Sequence, residues 1–146
     1  MANVKTLERI QQLREYKKNE IAQEVRRAAM FLHMEEKNLG LMETELNENI
    51  IALDKKKIAP ATSIHEITLF YDYIDTMYRK IDGQKVIINK IAMELAAKER
   101  ELLEAFKDVK VIETLKDKIV NEEKKRQSTL EQKTMDYLYL SRMPKA

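Results

Sequence analysis

Between Ile67 and Ile119, side chains of one kind return at alternating steps of three and four, and that spacing leaves few folds open. The series is Ile67, Phe70, Ile74, Met77, Ile81, Gln84, Ile88, Ile91, Leu95, Lys98, Leu102, Ala105, Val109, Ile112, Lys116 and Ile119, and only Gln84, Lys98 and Lys116 in it are polar. A repeat held this long at about 3.5 residues per turn keeps one stripe facing a partner helix, the condition for a coiled coil. A helix packed on a globular core drifts at about 3.6 instead. Such a protein works by contact along its surface, which points away from catalysis.

Composition supports the same reading. A compact domain of 146 residues needs more turns than two Gly and two Pro supply, and 36% charged with 6% aromatic residues is the mixture of long helices. The net charge of +2 is nearly balanced with both signs interspersed, so no basic stripe calls for nucleic acid. The absence of Cys excludes disulfides and thiolate metal sites. No apolar run approaches the roughly 20 residues of a membrane span, and Met1–Ile10 lacks a signal-peptide apolar stretch, so a cytoplasmic protein is expected.

The one strong punctuation is the stretch from Lys55 to Ser63 around Pro60. Proline ends a helix and restricts the residue before it. Ser63 and Glu66 then form a capping box, the Ser oxygen accepting a free N–H while Glu66 reaches back. Helix one is expected from about Val4 to about Lys57, the tip over about 58–63, and helix two from about Ile64 to about Leu140, roughly 80 and 115 Å long. The first helix has its own heptad through Ile21, Val25, Ala28, Leu32, Glu35, Leu39, Met42, Leu46, Asn49 and Leu53. A short connection makes the two helices antiparallel. The expected fold is therefore all-α: a single coiled-coil domain over residues 1–146, a long two-helix antiparallel hairpin with a C-terminal helical overhang.

Placing the turn at Pro60 sets the register. Leu53 meets the region of Ile67, Val25 that of Leu95, and Lys98 falls beside Glu24, a compensating charge for a polar seam position. Asn49 and Gln84 read as register-setting polar residues. Gly40 and Gly83 lie nearly level on outer positions, either as a shared soft joint or as two unrelated tolerated glycines. Past about residue 117 the second helix has no partner, an overhang of roughly 40 Å. The overhang keeps the register through Glu123, Arg126, Leu130, Lys133, Tyr137 and Leu140 and ends in a cluster of Met, Tyr and Leu. It is either a frayed tail or a segment that orders inside another protein. Tyr71, Tyr73 and Tyr78 flank the seam near the turn with Leu69 facing outward, which either marks a partner contact or shields the seam edge. Catalytic residues are not evident. His33 and His65 lie far apart in this fold, and no metalloprotease, phosphate-loop or nucleophile-elbow motif occurs. No cofactor or metal is expected.

The charged stretch Glu101-Leu102-Leu103-Glu104-Ala105 through Lys110-Val111-Ile112-Glu113-Thr114-Leu115-Lys116, then Glu122 to Arg126 and Glu131-Gln132-Lys133-Thr134-Met135-Asp136, resembles the C-terminal signature of the FliJ family. Thr62-Ser63 followed by the run from Phe70 to Met77 is similar to that family's tip, and the likeness spans essentially the whole chain. The resemblance implies a non-enzymatic stalk and adaptor of bacterial flagellar type III protein export. Such a stalk puts its helix ends into a hexameric export ATPase ring, touches the export gate protein FlhA, and handles export chaperones. It also implies a cytoplasmic place at the inner face of the cell membrane, reached only through the export apparatus, a role in flagellar biogenesis and motility, and a monomer in isolation. Carried onto this chain, the ring contacts are Leu7, Ile10, Leu13, Arg126, Leu130, Lys133 and Tyr137. The gate contacts are Asn38, Met42, Tyr73, Met77 and Lys80. The chain departs from the pattern at Glu45 and Asn49, where family members can present tyrosines, so the gate contact is expected more on helix two. A stalk of a virulence-type secretion system and a generic structural coiled coil share the same shape, and self-association at low micromolar concentration marks the latter.

Overall fold

A computed structural model of the chain describes residues 2–143, with side chains from Val4 onward. Two helices account for nearly all of it: α1, Ala2–Ile58, and α2, Ile64–Arg142, with no strand among the described residues. α1 stops where Pro60 removes the next N–H and bars Ala59 from helical geometry. Its last turn closes through Ala59 N–H to the Lys55 carbonyl at 3.2 Å. At the start of α2 the Glu66 N–H donates to Ser63 Oγ at 3.2 Å, so the serine caps the helix. The glutamate half of the expected box is not made. The Glu66 carboxylate turns instead to Lys56 Nζ, 3.7 Å away, bridging the turn.

The chain forms two compact units. One comprises Ala22–Glu101, the end of α1, the turn and the first half of α2. The other comprises Met1–Ile21 with Leu102–Ala146. In each, α1 and α2 pack against each other antiparallel.

In the Ala22–Glu101 unit the seam follows the heptad of both helices. Every step from Val25 to Leu53 on α1 and from Ile67 to Lys98 on α2 is buried or half-buried. The tightest part is Leu46, Leu53, Ile74, Met77 and Ile81, with Leu39, Met42, Ile50, Ile67 and Phe70 against them. Leu53 and Ile81 keep only 4% of their surface. Leu53→Ala is expected to cost about 2–5 kcal/mol, read as a fall in the urea midpoint with little change in slope. Polar pairs mark the register. Lys98 Nζ lies 2.6 Å from the Glu24 carboxylate, the pair that the heptad places side by side. Buried Gln84 donates its amide across the seam to the Glu35 carbonyl at 3.1 Å and to the Glu35 carboxylate. Asn49 behaves differently: its amide donates to the carbonyl of Glu45 one turn earlier at 2.8 Å and makes no bond to α2.

Gly40 and Gly83 sit in unbroken helix on exposed positions, and a Cβ at either would meet nothing within 4 Å. Each therefore carries the entropic cost of glycine with no packing reason for it. Gly40→Ala and Gly83→Ala are each expected to raise stability by about 0.5–1 kcal/mol in chemical denaturation.

The other unit has a seam of its own through Ala105, Val109 and Ile112, each about 95% covered. It ends at Glu123; every described residue beyond is exposed. In this unit α1 pairs further along α2 than the turn at Pro60 alone implies. α1 begins at Ala2, and here Glu8 Oε1 meets Lys116 Nζ at 3.5 Å, a few residues beyond the expected level. The unpaired end of α2 thus starts near residue 124 and spans about 28 Å rather than 40.

Candidate partner-binding surfaces

The residues expected at the export gate all belong to the Ala22–Glu101 unit, and they divide into two groups. Asn38, Tyr73 and Lys80 are exposed, Tyr73 by 46%. They share one edge of the coil. The Tyr73 hydroxyl donates to Glu45 Oε1 at 2.8 Å, which fixes that edge. Asn38 stands one heptad before Glu45, and Lys80 one heptad after Tyr73. The Glu45 carboxylate holds the Tyr73 phenol above its ordinary pKa, by the hydrogen bond first and by its charge second. Met42 and Met77 form the other group and lie in the seam. Met77 is 6% exposed in the tightest cluster and Met42 packs against that cluster, so neither is a free surface side chain. Tyr71 and Tyr78 stand on the opposite edge, where Lys57 Nζ lies 4.9 Å from the centre of the Tyr71 ring. The Tyr71 hydroxyl raises the Lys57 pKa.

The residues expected at the ATPase ring lie in the other unit, and α1 and α2 do not bring them together. Leu7 and Ile10 are half-buried in the seam. Leu13 is not in it: 69% of its surface is exposed, because the stripe passes through Gln11 and Arg14. Two polar residues of that stripe, Arg14 and the half-buried Lys18, reach over α2. Arg14 Nη1 donates to the Asp108 carbonyl at 3.1 Å, and Lys18 Nζ lies 5.1 Å over the Phe106 ring. Arg126, Leu130, Lys133 and Tyr137 lie beyond the seam and are all exposed, at steps of four, three and four that put them on one face of the free helix end. Leu130 is 57% exposed, Tyr137 72% and Leu140 65%, so they make no seam with Leu7, Ile10 or Leu13.

Sequence reasoning missed the apolar residues on outer positions. Met30, Met34 and Leu41 are 60–68% exposed on α1, and Leu103, Val111 and Leu115 are 43–55% exposed on α2. The signal that finds them is an apolar side chain out of phase with the heptad. Among the described residues no three His, Asp or Glu converge as a metal site, and no helix is long and apolar enough to cross a membrane.

These features define an antiparallel coiled-coil protein whose candidate sites are open side-chain surfaces. The model of one family, described as the flagellar FliJ protein, matches residues 3–143. The chain therefore belongs to the FliJ family, an export-related family of the flagellum that is structural and not enzymatic. No curated protein and no solved structure matches the chain.

Proposed function

We propose that the chain is the stalk and adaptor of the flagellar export apparatus. In this reading the start of α1 and the free end of α2 enter the hexameric export ATPase. The edge carrying Asn38, Tyr73 and Lys80 meets the gate protein FlhA, and export chaperones use the remaining surface. The protein then works in the cytoplasm at the inner face of the cell membrane.

One observation supports the ring contact above others: from residue 124 to 142 a helix end with exposed Leu130, Met135, Tyr137, Leu138, Tyr139 and Leu140 packs against no other element among the described residues. A lone helix of this length and composition is marginal in water. A surrounding protein offers the burial that the hairpin does not. The test is ATP turnover by the purified export ATPase titrated with the full chain. A dose-dependent rise is expected, and a flat response overturns the reading.

At the gate, Tyr73 is the side chain with exposed area and a fixed orientation, whereas Met77 acts from below by supporting the edge. Tyr73→Ala is expected to weaken gate binding by about tenfold, the loss of one aromatic anchor, with unchanged melting and unchanged ATPase stimulation. Equal gate affinity in a titration of the two proteins would sink that assignment. Monomeric sedimentation is expected of a stalk, whereas a structural rod self-associates.

A further inference from the structure

On the outer face of α2 in the Met1–Ile21 and Leu102–Ala146 unit lies a shallow, open trough, formed by side chains of this one helix, that neither the seam nor the ring contact uses. Its lining is Lys107, Lys110, Val111, Thr114, Leu115 and Lys118. The floor is apolar, with Val111 54% and Leu115 43% exposed. The rim is three lysines and no carboxylate. Lys107 spends part of its charge on Glu104, 3.4 Å away. Lys110 and Lys118 have no ion pair among the described residues. The Thr114 hydroxyl is tied back to the Lys110 carbonyl at 2.9 Å, so it does not compete for a ligand.

We propose that this trough is a docking site for an acidic amphipathic helix of another protein. The lysines recur along one side at helical spacing, so their ammonium groups can meet carboxylates on a helix laid beside α2. Small apolar side chains of that helix fill the floor between the lysine stems, which are themselves apolar. The chemistry selects against a basic partner, since like charges at the rim repel without compensation. It also favours a protein over an anionic bilayer. Val111 and Leu115 are shorter side chains than the three lysines beside them, whereas membrane insertion needs bulky apolar groups that project past the cations. The site is independent of the ring and gate contacts.

The chain has no cysteine, so Thr114→Cys places a single fluorophore in the trough and Asn89→Cys places one on a distant part of α2 as a control. The probe is a synthetic helical peptide with Leu and Ala on one face and Glu along both flanks. Its counterpart carries Lys in place of Glu, and vesicles of anionic phospholipid form a third arm. Saturable binding of the acidic peptide is expected, reported by the label at position 114 and not at 89, and weakening with salt. The basic peptide and the vesicles are expected to leave the label unchanged. Lys110→Glu with Lys118→Glu on the same chain is expected to weaken the acidic peptide by about tenfold or more, with melting unchanged because both residues are exposed. Val111→Ser tests the floor separately and is expected to weaken it severalfold. No saturable response to the acidic peptide, equal affinity of the double variant, or preferential response to vesicles would each overturn the proposal.

Discussion

A chain ending at Glu123 is expected to lose stimulation of the export ATPase while melting within about 3 °C of the full chain. The two readouts separate because the seam ends at Glu123 and no described residue beyond it is buried. Removing exposed helix that touches no other element takes away neither apolar burial nor a cross-helix bond. It does remove Arg126, Leu130, Lys133 and Tyr137, the exposed face that the proposed ring contact needs. Temperature melts by circular dichroism and coupled ATP turnover decide it. Retained stimulation removes the ring reading. A large fall in melting temperature would show that residues past Glu123 fold back on the hairpin.

Gln84→Glu is expected to destabilise the protein by about 3–5 kcal/mol near neutral pH, the range for an uncompensated buried charge. Gln84 is 7% exposed, and its amide donates to both the carbonyl and the carboxylate of Glu35. A carboxylate there loses both donations and faces a like charge from the opposite helix. Burial and that charge hold the new carboxyl above its usual pKa in the folded state, so the native form binds more protons than the unfolded one. Stability of the variant relative to the parent therefore rises as pH falls through the raised value. The deficit is largely gone below about pH 4.3, where the carboxyl is neutral in both states. Gln84→Leu at the same site introduces no charge but takes the donor from Glu35, and is expected to cost about 1–3 kcal/mol. Urea unfolding of both variants across pH tests the sign. A deficit that does not shrink toward acid would mean that the site is open to water.

The heptad made most of this fold legible, because coiled-coil packing depends on phase more than on long-range detail. The stripe from Ile67 to Ile119 is buried or half-buried at every step, and Glu24 stands by Lys98. Legibility fails where phase and residue identity disagree. Phase puts the polar trio Gln11, Arg14 and Lys18 at nominal seam positions, and the stripe does run through them, whereas Leu13, expected beside Leu7 and Ile10 for its apolar side chain, is left in solvent. It fails again where one polar side chain has two partners within reach. Asn49 bonds its own helix and Glu66 prefers Lys56 to its cap, choices that spacing does not encode. The heptad already put Met77 in the seam, and only the resemblance made it a gate contact as well. A seam position and a contact position cannot be the same exposed surface, and burial assigns it to the seam.

The placement of sulfur has a consequence for oxidative damage. With no thiols to react first, the thioethers are the softest oxidisable groups in the chain. Met30, Met34, Met93, Met135 and Met143 are at least half exposed, whereas Met77 is sealed. Mild peroxide should therefore convert surface thioethers to polar sulfoxides one by one while the helices stay paired. Damage would register first as altered adhesion to neighbouring proteins and only much later as unfolding, a state that reductase repair can reverse without refolding the chain.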